Sequence, residues 1–458
     1  MNTLAPFKPH GDDDAYPQGR IERLKFASDA CDRRQNLHVY LPPSYDLEPT
    51  RHYPVLYMHF GNELFEPERF GAESWNLHRL IDRLLAAGLI EEIIVVGIDT
   101  MDRTVVQDLH HYHNLQDDAP GTGLGGLEYE AFILEHLMPF IDGRFRTRVG
   151  PEHTAMMGAC AGATVTYNIA ERNPGAFGKI GLLSPAILSL TGREWLLAAP
   201  GRRPQGLVWI DAGALEGDFS APIRPLVDAL IDWGAKPGVD LFYLLEPDAP
   251  HRAAAWAERV AHPLLLFFGR IGQPVRAQLH GEDALAVDGS PITLNPVLEY
   301  DTGFRVTPLV AEYRVSDASL LRAVPDGRLY GLAEGSAEIV FHAAGCEARH
   351  TVRVVKDLPE TVCLTLRAKV LEDQPTIKLI NFSLLVLRRT DSGFYEGTFR
   401  LRRGYALGEN FSCRIGQFEL CRDSSPVPLR VLRAEQDAEL EFTIDRWPDI
   451  NPQAVASP

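Results

Sequence analysis

The run Gly158-Ala159-Cys160-Ala161-Gly162 constrains the fold of this chain more than any other five residues. The mostly apolar His153-Thr154-Ala155-Met156-Met157 precedes it and the helix-compatible stretch Ala163–Arg172 follows. A short apolar run, a cluster of small residues and a helical segment together read as strand, sharp turn and helix. Glycine on either side lets the backbone turn without side-chain clashes. Such a turn presents its central side chain, here a thiol, at the end of a strand and the start of a helix. The partial positive charge of a helix N-terminus favours an anion at that point.

The surrounding pattern agrees with this reading. Apolar runs at Asn36–Leu41, Pro54–His59, Glu92–Ile98, His153–Gly158, Lys179–Ser184, Leu207–Asp211 and Val239–Leu245 predict strands. Between them, Trp75–Ala87, Leu127–Phe145, Ala163–Arg172, Pro222–Trp233 and His251–Phe268 predict helices. The alternation predicts an α/β unit with a mostly parallel sheet covered on both faces, and such sheets take ligands at the carboxyl ends of their strands. After Gly269 the helical period stops, and short alternating runs with turns such as Asp326-Gly327 and Glu334-Gly335 predict two small all-β sandwiches. The expected division is a tail over 1–20, an α/β domain over 21–270, and β-sandwiches over 271–356 and 357–458.

Composition narrows the partners. A formal net charge of −17 disfavours nucleic acid and anionic membrane surfaces. No apolar run approaches membrane-spanning length, and the acidic start, with Asp12-Asp13-Asp14, is not expected to be a secretory signal. Six widely spaced cysteines without a C-x-x-C pair argue against zinc and fit free thiols in a reducing cytoplasm. Gly121–Gly126 matches G-x-G-x-x-G but lacks the preceding strand of a dinucleotide site. His110, His111 and His113 lack a carboxylate pattern for metal. No cofactor or metal is therefore expected.

A thiol at such a turn becomes chemically meaningful when an acid and a histidine follow it, each after a later strand. Leu207–Asp211 leads into a loop holding Glu216 and Asp218, either of which could be the acid. Val239–Leu245 leads to His251 just before a helix, where a general base belongs. A carboxylate would fix the tautomer of His251 and stabilise its imidazolium. The N–H of Ala161 and the loop Phe60-Gly61-Asn62, after the strand Pro54–His59, would supply oxyanion donors. Trp75 and Tyr112 are candidates to line an acyl pocket, with core packing an equal alternative for each.

On these residues the stretch 21–268 resembles the putative-esterase family of α/β-hydrolases, which includes enterobactin-esterase-like and feruloyl-esterase-like proteins. The resemblance rests on Val39–Tyr45, Tyr53–His59, Ile94–Asp99, Pro139–Asp142, the Cys160 turn, Leu183-Ser184-Pro185, Asp211-Ala212-Gly213 with Glu216, and His251 with Trp256. It implies an esterase fold and assigns nucleophile, acid and base to Cys160, Glu216 and His251. The chain departs from the family in three places: cysteine replaces serine, Ala163 replaces a second glycine, and Phe60 replaces Asp or His. Cysteine at this turn resembles dienelactone hydrolases and polyester synthases. Val315–Gly335 resembles a bacterial immunoglobulin-like domain of the group-2 type. Residues 360–447 resemble starch-binding modules, without tryptophan at Asn381–Leu385 or Gly416–Glu419, where a sugar platform would lie.

Three readings follow. The first is an esterase or thioesterase that acts on a small-molecule or carrier-bound acyl substrate through an acyl-Cys160 intermediate. The second is an acyltransferase or cyclase that passes the acyl group to an amine, alcohol or thiol. The third is a non-catalytic scaffold whose β-sandwiches bind a partner protein or a second copy.

Overall fold

The computed structural model describes residues 16–28, 33–65, 74–99, 125–187, 203–372, 374, 376–414 and 417–448. Eight strands form the first sheet: β1 (Arg20–Ser28), β2 (Arg33–Leu41), β3 (Val55–His59), β4 (Ile94–Ile98), β5 (Thr154–Ala159), β6 (Lys179–Leu183), β7 (Leu207–Leu215) and β8 (Leu241–Pro250). Their order is β1-β2-β4-β3-β5-β6-β7-β8. The β1–β2 and β2–β4 pairs are antiparallel, and every pair from β4 to β8 is parallel.

Both faces of this sheet are covered, so β3, β4 and β5 are buried along their whole length and read as continuous apolar runs rather than alternating ones. Alternate residues serve different cores. Val55, Tyr57, Met156 and Ile210 pack with the helices Ala161–Arg172 and Ile223–Asp232 on one face. Leu56, Met58, Met157 and Trp209 pack with Leu77–Ala86 and Ala261–Phe268 on the other. The expected helix over His251–Phe268 is two, Ala253–Arg259 and Ala261–Phe268. Pro263 has no N–H to offer the Arg259 carbonyl, which breaks the ladder at that point.

β7 and β8 run further than their apolar cores suggest. The register continues through Gly213↔Glu246 to Leu215↔Pro250, with a bulge between, whereas β6 ends opposite Asp211. The tips of β7 and β8 therefore stand as a two-stranded ribbon beyond the sheet, and they deliver Glu216 and His251.

Beyond the helix ending at Phe268, the strands Pro274–His280, Asn295–Tyr300 and Arg305–Val306 form a small sheet. This sheet packs on the α/β unit: Val297, Leu298 and Phe304 share a core with Trp209, Leu264 and Phe268. A four-stranded and a three-stranded sheet then enclose Leu285, Ile292, Leu321, Leu329, Ile339 and Val352. The last unit has a seven-stranded sheet and the pair Tyr405–Glu409/Arg430–Ala434 around a core of its own. Its Trp447 is buried in that core rather than presented at the surface. Among the described residues no helix is long and apolar enough to cross a membrane.

Candidate active site

Cys160 sits between the end of β5 and the helix Ala161–Arg172 with φ 50° and ψ −123°, a strained backbone for a residue with a side chain. The strain is held by backbone bonds: Cys160 N–H donates to Leu183 O at 3.0 Å, and Ala186 N–H donates to Cys160 O at 3.2 Å. The flanking glycines have steric reasons. A Cβ at Gly158 would lie 2.4 Å from the Gly162 carbonyl carbon, and one at Gly162 would lie 2.9 Å from the Phe60 ring. Gly158→Ala is expected to cost about 1–3 kcal/mol through overpacking, read as a lower urea midpoint with an unchanged slope.

His251, at the tip of β8, points its Nδ1 at Glu216 Oε2 over 3.0 Å. Its ring lies against the face of Phe219, with centroids 4.2 Å apart and 17° between planes, and against the edge of Trp256 at 5.0 Å. Burial would push the His251 imidazolium down. The adjacent Cys160 and Glu216 outweigh it and lift its pKa to about 10. Cys160 acts on the ring through both charge and side-chain contact, although His251 Nε2 has no partner in full hydrogen-bond geometry, a loose arrangement common in sites that tighten around substrate.

Glu216 is fully buried. Its Oε1 accepts from Gly213 N–H at 2.8 Å, from Ser184 Oγ at 2.6 Å and from Arg259 Nη2 at 3.1 Å. Arg259, itself 2 % exposed, also donates through Nε to Asp211 Oδ1 at 3.1 Å, and Trp209 Nε1 donates to Asp211 Oδ2 at 2.8 Å. Ser184, another left-handed position (φ 43°), accepts from Trp256 Nε1 at 3.0 Å and from Arg259. Burial pushes Glu216 up, but His251, Arg259 and Ser184 together hold it below the usual carboxylate range. Asp211 goes the other way: burial lifts it to about 6 despite Arg259 and Trp209. One arginine thus serves two carboxylates, and the one facing His251 keeps its charge.

Cys160, His251 and Glu216 are thus brought together. Asp218 is exposed and turned from His251 toward Tyr405, whose hydroxyl lies 3.4 Å from its Oδ2. Phe60 has a left-handed backbone (φ 60°) and starts the turn Gly61–Leu64. Gly61 fits tightly, since a Cβ there would come within 2.5 Å of Gly97. Ala161 N–H, at the first position of its helix, has no intrahelical acceptor, and Asn62 is half-buried in the neighbouring turn. Trp75 is 5 % exposed, with its ring 6.1 Å from that of Trp256. Tyr112, like His110, His111, His113 and Gly121–Leu124, lies outside the described residues. Sequence reasoning passed over Arg259 and Phe219. A single arginine among the apolar residues of Ala253–Phe268 was the available signal for Arg259, whereas Phe219 gave none.

Residues 28–231 match the family model described as Putative esterase. The matched stretch holds Cys160 and Glu216 and stops before His251. Among curated proteins the chain is 28% identical over 174 residues to the uncharacterized Bacillus subtilis protein YjcH, covering 38% of this chain and 65% of that one. It is 30% identical over 175 residues to an endo-1,4-β-xylanase/feruloyl esterase of Xylanibacter ruminicola, covering 36% and 22%. The chain thus spans less than two thirds of either relative. Similar solved structures include a ferulic acid esterase from Anaeromyces mucronatus, at 18% identity over 58% of this chain and 96% of that one, with TM-score 0.46. The enterobactin esterase from Shigella flexneri shows 16% identity over 57% and 63%, with TM-score 0.45.

Proposed function

We propose that the α/β unit is an esterase-like hydrolase that forms an acyl-thioester on Cys160. The family match over residues 28–231 supports the reaction class. The observation that carries the mechanism is His251, bound through Nδ1 to a buried, ionised Glu216 and raised in basicity by Cys160.

The substrate is a small-molecule or carrier-bound ester or thioester. His251 takes the Cys160 proton, and the sulfur attacks the acyl carbon. The oxyanion receives the Ala161 N–H and an N–H of the Phe60–Asn62 turn. Collapse expels the alcohol or thiol, which leaves with the proton from His251. Neutral His251 then takes a proton from water, whose oxygen attacks the thioester. Cys160 leaves as the thiolate, and the carboxylic acid departs. Glu216 holds the ring in the required tautomer throughout.

The thiol itself favours a second reading, because a thioester stays reactive toward amines and alcohols as well as water. Intact-mass analysis after mixing with p-nitrophenyl esters and acyl thioesters tests both. An acyl adduct on the wild type and none on Cys160→Ala is the expected result. Absence of any adduct and of any turnover with either donor class would overturn the proposal. Amide or new ester formed when amine or alcohol is added would shift the reading from hydrolysis to transfer.

A further inference from the structure

The tips of β7 and β8 leave the sheet as a two-stranded ribbon interrupted by a bulge, and a lone ribbon of this kind has marginal stability in water. It does not stand alone. The strand Tyr405–Glu409 of the last β-unit lies against it, and Leu407 forms an antiparallel bridge with Glu216 itself. Gly408 packs onto the residues immediately before the acid and the histidine: a Cβ there would lie 3.3 Å from both Leu215 Cβ and Pro250 Cβ. Tyr405 covers the next residue of the turn. Gly217 has φ +57°, and a Cβ on it would fall 2.4 Å from the Tyr405 hydroxyl. The 3-10 turn Gly217–Phe219 follows, and Phe219 stacks on His251.

The strand making these contacts is firmly held in its own unit. It pairs residue for residue with Arg430–Ala434 from Tyr405↔Ala434 to Glu409↔Arg430. Leu407, Leu432 and Ala434 are buried in that unit's core. The unit is tied in turn to its neighbour by Arg403, which pairs with Glu282 and donates to Ala284 O at 2.8 Å.

We infer that the C-terminal β-unit is a positioning element of the active site, its Tyr405–Glu409 strand clamping the Glu216–Phe219 turn and Pro250 so that His251 faces Cys160. The inference rests on the acyl-transfer reading. The clamp residues touch neither the acyl group nor the sulfur. They act through Glu216 and Phe219, which fix the ring. The C-terminal unit is then part of the hydrolase site rather than an appended binding module, and loosening its contact lowers Cys160 reactivity without removing any catalytic side chain.

The test uses the full chain and iodoacetamide, with alkylation of each cysteine followed by peptide mass spectrometry from pH 5 to pH 9. Wild-type Cys160 is expected to react at pH 6 far faster than the exposed Cys363 of the same β-unit. Gly408→Leu drives a side chain into Leu215 and Pro250. It is expected to slow Cys160 alkylation at pH 6 on the order of tenfold and to change its pH profile while Cys363 keeps its rate. Tyr405→Ala, which uncovers Gly217 without forcing the interface apart, is expected to shift the profile the same way and serves if Gly408→Leu does not fold. An enhanced wild-type rate that survives in the folded variants would overturn the clamp and leave the acyl-transfer reading standing. A wild-type Cys160 with an ordinary thiol profile would overturn both.

Discussion

His251→Ala is expected to slow acylation of Cys160 by about 10²–10⁴, the usual contribution of a positioned general base. The size follows from how completely the ring is arranged. Nδ1 is fixed by Glu216 at 3.0 Å, and the Phe219 face at 4.2 Å favours a cation stacked on it. Burial opposes the charged ring, yet Cys160 and Glu216 lift it to about 10. Below that pH the ring carries a positive charge, and a cation beside a sulfur favours the ionised form of a thiol. The advantage over an unassisted thiol is therefore greatest under acidic conditions, where such a thiol, with pKa near about 8.5, is roughly 0.3% ionised at pH 6. It shrinks as pH rises past that value and is gone once the ring loses its proton near pH 10. Alkylation of Cys160 in His251→Ala is expected to fall by about 10² at pH 6 and to approach the wild-type rate at pH 9. Parallel profiles for the two proteins would remove His251 from the chemistry.

What could be read from the sequence, and what could not, divides by range. β3, β4 and β5 are legible because each buries both faces, so short runs of mostly apolar residues mark them without help from neighbours. The turn at Cys160 is legible because the steric demand is local: Gly158 and Gly162 nearly touch. The order after later strands points to His251 and to the loop with Glu216 and Asp218, but leaves those two acids as alternatives, of which Glu216 is the one bonded to His251. The full length of β7 and β8 is not legible, because Ala212-Gly213-Ala214 and Glu246-Pro247-Asp248 carry turn-like residues. They become strand because a distant unit covers them and Gly213 seats against the Ala249 carbonyl, where a Cβ would come within 2.0 Å. The sheet containing Asn295–Tyr300 alternates like any other half-buried ribbon, and nothing local says that Val297 and Leu298 bury against the Phe268 helix. Arg259 is hidden for the same reason: Asp211 lies 48 residues away and Glu216 lies 43 away.

Arg259→Met is expected to destabilise the protein by about 3–5 kcal/mol, the cost of breaking a buried ion pair from one side. Methionine fills much of the same space, so the effect is electrostatic rather than a cavity. Asp211 and Glu216, both fully buried, lose the cation that contacts each at 3.1 Å. The two carboxylates give the loss a pH dependence. Asp211 already titrates near 6, raised from 3.8 by burial, so its favourable contribution is complete below about 3.8 and fades as pH rises through 6. Without Arg259 that window moves upward. Glu216 is held below its ordinary 4.5 by partners that include Arg259, so its contribution is present above that value and weakens when the arginine goes. Both changes make the variant's deficit larger at pH 8 than at pH 5.5, measured as the difference in urea unfolding free energy from wild type. Adding Asp211→Asn to Arg259→Met is expected to recover part of the loss, because one stranded charge is removed while Trp209 Nε1 keeps an acceptor. A deficit below about 1 kcal/mol, or one independent of pH, would mean that His251, Ser184 and the Gly213 N–H keep Glu216 charged without the arginine.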